Sequence, residues 1–106
     1  MTSTDLNVCI IPRVLNHIKK DQIFSVINNA NIGEIDHIDM ISKTNEKGEK
    51  FQKVFIHFKK WFETDNACKT IERLSCGKSI NIIYEEPWFW KISAYKKNMY
   101  YNYNSI

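Results

Sequence analysis

The sequence predicts an α+β domain in which two helices cover one face of a four-stranded antiparallel sheet. Three observations carry that expectation. Apolar residues alternate with a period of two in several short stretches. The period changes to helical spacing in two others, and each of those two is apolar on one side only. A helix with a single apolar stripe must bury it, and a sheet face is the surface available.

The elements follow in order. Asn7 to Leu15 (NVCIIPRVL) is apolar and branched and reads as a strand, with Pro12 ending its regular hydrogen bonding. From about Lys19 to Asn31, Ile23, Ile27 and Ala30 fall at helical spacing with Phe24 beside them, and Gly33 is placed to close the helix. Glu34 to Ser42 alternates with one slip, Ile35 and then Ile38 and Met40, which signals a bulge. Lys43 to Lys50 (KTNEKGEK) reads as a mobile hairpin loop. Phe51 to Phe58 (FQKVFIHF) alternates cleanly, with Val54, Ile56 and Phe58 inward and Lys53, Phe55 and His57 outward.

After a link at Lys59 to Glu63, Thr64 is placed to cap a second helix, with Asp65 in its first turn. Ala67, Ile71 and Leu74 form its stripe and Gly77 ends it; Cys68 and Cys76 read as small buried residues. Ser79 to Tyr84 is a short extra strand, Glu85-Glu86-Pro87 a turn, and Trp88 to Tyr95 the last main strand. Trp88 and Trp90 read as core or sheet-edge packing, and Trp61 and Phe62 as anchors of the helix entry. With right-handed crossovers, this order gives the split βαβ, ferredoxin-like βαββαβ sandwich. One domain over residues 1–97 is expected, followed by a flexible Tyr-rich tail at 98–106.

Composition narrows the function classes. The 106 residues carry a net charge of +3, which permits a polyanionic partner without demanding one. Thirteen lysines stand against two arginines, and Ile and Asn are abundant, the bias of an AT-rich coding sequence. Three cysteines without a CxxC pair argue against a disulfide framework and for a reducing compartment. The first residues lack the pattern of a signal peptide and no stretch approaches a membrane span, so an intracellular protein is expected, cytoplasmic or nuclear, without a membrane partner.

The open sheet face is the expected functional surface. Taking Val8 and Ile10 as inward places Cys9 and Ile11 beside Phe55, with Arg13 just past them. On the last strand, Phe89, Lys91, Ser93 and Tyr95 take the open side, because Lys and Ser tolerate water better than Trp90 and Ile92 do. The face would then present Phe55, Phe89 and Tyr95 among Lys53, Lys91 and His57. Rings that stack on unpaired bases, beside cations that meet phosphates, are the parts of a single-stranded nucleic-acid platform.

The pattern resembles an RNA recognition motif (RRM) domain over about residues 7 to 97. Phe51 to Phe58 lies where that family's octamer lies, and Val8 to Arg13 where its hexamer lies. Ala67 to Gly77 resembles its second helix, and the short strand, Pro87 and final strand resemble its small hairpin. The combination of KKWFETDNAC with EEPWFWKISA also looks like small RRM-like proteins of large DNA viruses of protists, which would place the chain in a host cell. The resemblance implies a single-stranded RNA partner, or single-stranded DNA. Two departures stand out. Lys53 holds one of the octamer's two outward ring positions and the usual glycine is missing, while Cys9 replaces the hexamer's outward aromatic.

Competing chemistries find less support. Cys9, His57 and His37 could share a face, but their spacing matches no zinc pattern, so no metal and no cofactor is expected. Arg13 follows the first strand as an anion-binding arginine does in acylphosphatase, yet Pro12-Arg13-Val14-Leu15-Asn16-His17 has no glycine-rich phosphate nest. No carboxylate is paired with a recognisable base or nucleophile, and no enzyme is expected. The rival expectation is an interaction module whose face is covered by the tail, by another protein or by a second copy.

Overall fold

A computed structural model describes residues 7–95 of the chain. Its elements are β1 (Val8–Leu15), α1 (Lys20–Asn29), β2 (Gly33–Thr44), β3 (Lys50–Trp61), α2 (Asp65–Ser75), β4 (Ile80–Glu85) and β5 (Trp88–Ala94). The architecture is α+β, with two helices and an open five-stranded antiparallel sheet in the order β2-β3-β1-β5-β4. The four-strand expectation is therefore corrected to five. Ile80–Glu85 is not an accessory but the sheet's edge, paired with β5 from Ile80↔Ile92 to Glu85↔Trp88. The tail expected at 98–106 lies outside the described residues.

One apolar layer joins the helices to the sheet. Ile23 and Ile27 of α1 and Ala67 and Leu74 of α2 share a buried cluster with Cys9, Ile11, Val54, Ile56, Trp90 and Ile92. Alternation then commits the opposite set of strand side chains to the other face. Tyr84 stacks on Trp90 with ring centroids 4.4 Å apart, and Phe58 on Trp61 at the same separation, so rings seal two margins of the core.

Helix α1 begins where Gln22 Oε1 accepts from the Lys19 amide at 3.0 Å. Thr64 caps α2 as the sequence suggests, its Oγ1 accepting from Ala67 N at 3.1 Å. Beyond α2, Gly77 at φ 81° lets Lys78 N reach back to Arg73 O, satisfying a terminal carbonyl. Cys68 and Cys76 are exposed rather than buried, because the inner stripe of α2 is Ala67, Thr70 and Leu74.

Gly33 has a different role from the one its position suggests. Asn31, at φ 58°, makes the left-handed turn after α1, whereas Gly33 is buried at the start of β2. A Cβ there would meet Lys60 O at 2.7 Å and Phe58 Cδ1 at 3.0 Å, so the glycine serves close strand packing. The β2–β3 hairpin also runs further than its polar tip implies. Lys43 pairs with Phe51 and Thr44 with Lys50, leaving residues 45–49 as the turn. Asn45 ties that turn, its Oδ1 accepting from Lys47 N and Glu49 N and its Nδ2 donating to Glu49 Oε1 at 2.8 Å.

Candidate functional site

The sheet face opposite the helices is built from rows of residues paired across strands. Its central row runs Asp39, Phe55, Ile10, Ser93 from β2 through β3 and β1 to β5. The row on one side is His37, His57 and Val8, and Tyr95 closes it by donating its amide to Val8 O at 2.9 Å. On the other side Ile41 pairs with Lys53, and beyond them Lys43, Phe51 and Leu15 share a row. Along β5 and β4, Lys91 pairs with Asn81 and Phe89 with Ile83.

Most sequence-predicted residues fall on this face. Lys53, Phe55 and His57 lie on β3, and Phe89, Lys91 and Ser93 on β5, with Tyr95 immediately after it. The Phe55 and Tyr95 rings meet edge to face, centroids 5.1 Å apart and planes 80° apart. Arg13 comes to the same face through the bulge between Ile11 and Val14, its guanidinium carbon 4.4 Å from the Phe51 ring centroid. Phe51 is a ring the sequence reading leaves out.

Cys9 and Ile11 do not belong to it. They are 1% and 0% exposed, and they pair with Ile56 and Val54, which are also buried. The phase of a wholly apolar strand has no polar residue to mark its outer side, so Val8-Cys9-Ile10-Ile11 reads equally well either way. The outward residues are Val8 and Ile10, and Ile10 is the one opposite Phe55. Burial pushes the Cys9 thiol up from its ordinary 9.0 to about 12, removing it as a ligand or nucleophile at neutral pH.

A polar cluster that spacing alone leaves unresolved sits at the β2–β3 side. The pairing slips between Ile35 and His37, so Asp36 is the extra residue of a bulge. That places the Asp36 carboxylate beside the next ring, and Asp36 Oδ2 accepts from His37 Nδ1 at 2.7 Å. Two residues on, Asp39 Oδ2 accepts from His57 Nε2 at 3.0 Å and lies 3.8 Å from His37 Nε2. The His37 and His57 rings stack with centroids 4.0 Å apart and planes at 14°. An open depression of about 690 Å³ lies beside the cluster, with Val8, Ile41, Phe55 and Tyr95 in its lining.

The face also carries uncharged surface. Phe89, Ile83 and Ile41 are each roughly half exposed, as are Trp88 and Leu15 at its margins. No helix among the described residues is long and apolar enough to cross a membrane. No protein-family model matches the chain, and neither a curated protein nor a solved structure matches it at a significant level.

Proposed function

We propose that the open sheet face binds single-stranded nucleic acid, RNA in the first instance, without catalysing a reaction. The observation that carries this reading is the Phe55–Tyr95 ring pair at the middle of the face, flanked by Lys53 and Lys91 and, past Phe51, by Arg13. Base stacking on an exposed ring contributes about 1–3 kcal/mol per base and tolerates any sequence. Two further points support it. With the edge strand β4 set aside, the strand order β2-β3-β1-β5 has β1 and β3 in the middle, the order of a ferredoxin-like βαββαβ fold. The resemblance of Phe51 to Phe58 to the RRM octamer puts Phe55 at one of its outward ring positions. The hexamer ring is replaced by Ile10, not by Cys9, so stacking relies on Phe55, Tyr95 and Phe89.

The test is fluorescence anisotropy with a random single-stranded RNA pool. A Phe55→Ala/Phe89→Ala variant that stays folded is expected to lose about 5- to 150-fold in affinity for each base unstacked. If Lys53, Lys91 and Arg13 each neutralise one phosphate, log affinity falls against log salt with a slope of about −2. Equal binding by the wild type and the double variant at low salt would sink the proposal.

A second reading rests on a separate observation. The cross-strand pair Ile83–Phe89 and the more distant Ile41 leave apolar area on the same face, which suits a protein surface better than a polyanion. That reading expects a dimer by light scattering, abolished by Phe89→Lys, with no salt-dependent RNA shift.

A further inference from the structure

We infer that His37, Asp39 and His57 form a binding site for one borderline divalent transition-metal ion of the Zn²⁺ class. The site is carried by neighbouring strands β2 and β3, at the rim of the Phe55 face. One atom from each residue, two imidazole nitrogens and a carboxylate oxygen, lies within 4.8 Å of the other two. Two imidazoles with one carboxylate are a donor set for zinc and its neighbours. They are not the all-oxygen shell that calcium and magnesium prefer.

The carboxylate that orients His37 gives a second reason. Asp36 Oδ2 is an acceptor, so the His37 ring carries a proton on Nδ1, and its neutral form has the lone pair on Nε2. That is the carboxylate–histidine arrangement by which proteins hold a metal-ligating imidazole in the right tautomer. In the neutral form that lone pair faces Asp39 Oδ2 at 3.8 Å, so both atoms are turned toward the same small space. On the other side, His57 Nε2 donates to that same Asp39 oxygen at 3.0 Å. A cation placed between the three atoms makes the first relation attractive and replaces the second, which is already a hydrogen bond. The ion takes over His57 Nε2, whose proton moves through solvent to Nδ1, so the ring stays neutral.

The geometry is within reach of the ligands. Zinc–nitrogen bonds near 2.05 Å at a tetrahedral angle put the two nitrogens about 3.3 Å apart. The stacked rings, 4.0 Å apart at 14°, must fan so that both lone pairs converge. His37 can turn because its side chain is about half exposed. The Asp36 bulge is what aims it, since a regular ladder would leave that carboxylate on the opposite face. Three protein ligands leave at least one coordination position open toward solvent.

The experiment is isothermal titration of Zn²⁺ into the full chain carrying Cys68→Ser and Cys76→Ser, which removes the two exposed thiols. One ion per chain is expected. His37→Ala, Asp39→Asn and His57→Gln should each weaken binding at least tenfold, and Asp36→Asn by about 10- to 100-fold through loss of the orienting bond. Long-range ¹H–¹⁵N spectra of the imidazoles should show Nε2 of His37 and His57 shifting on Zn²⁺ addition while His17 stays in place. Mg²⁺ should produce neither response. The site is refuted if Zn²⁺ binds a His37→Ala/His57→Gln variant as tightly as the parent, or if the two rings do not shift on saturation.

Discussion

The orientation of β1 decides which side chains the candidate interface contains, and Cys9 reports it directly. The thiol is fully buried in a layer of Ile11, Ile56 and Ile92, and burial lifts it from 9.0 to about 12. At pH 8 an ordinary thiol is about one-tenth thiolate, whereas one at about 12 is ionised to about one part in ten thousand. Ionisation alone therefore slows its reaction with a disulfide reagent by about a thousandfold, before access is counted. In native protein, Ellman's reagent should modify Cys68 and Cys76 promptly and the third thiol only after guanidinium is added. The same shift has a signed effect on stability. Below about pH 9 both folded and unfolded chains hold the Cys9 proton. Between about 9 and 12 only the folded chain does, and stability falls by about 1.4 kcal/mol per pH unit. A Cys9→Ala variant should lack that increment of slope in urea unfolding. Three native thiols reacting at one rate, or identical alkaline slopes, would put Cys9 on the open face and overturn the assignment of Ile10.

Three structural expectations accompany it. Gly33→Ala should cost about 1–3 kcal/mol by urea titration, because Lys60 O at 2.7 Å is backbone and cannot step aside; a neutral result would remove the packing role assigned to Gly33. Gln52→Leu should cost about 1–3 kcal/mol and raise amide exchange at the β1–α1 turn, since Gln52 Nε2 donates to Leu15 O at 3.0 Å and Ile18 O at 2.8 Å. Thr64→Ala should lower stability by about 1 kcal/mol and Thr64→Ser by less, as read from thermal midpoints.

Much of the site was legible in residue order because of one strand. Lys53, Phe55 and His57 alternate with three large apolar residues, and that contrast settles the phase of β3 without help. Lys91 and Ser93 do the same for β5. Where contrast is absent, phase is lost. The run Val8 to Ile11 looks the same from either side, and only pairing with β3 turns Cys9 and Ile11 inward.

By itself, then, the sequence determined two one-sided helices, the ends of the second at Thr64 and Gly77, the slip in β2 and the outward side of β3. These are local matters, set by period, propensity and turn chemistry within a few residues. The tertiary structure alone decided that Ile80–Glu85 is a full edge strand, that Gly33 serves close strand packing, and that Asp36, His37, Asp39 and His57 come together. Each of these depends on the register between paired strands, β2 with β3 and β4 with β5. A shift of one residue sends a side chain to the opposite face, and no single segment encodes its partner's phase.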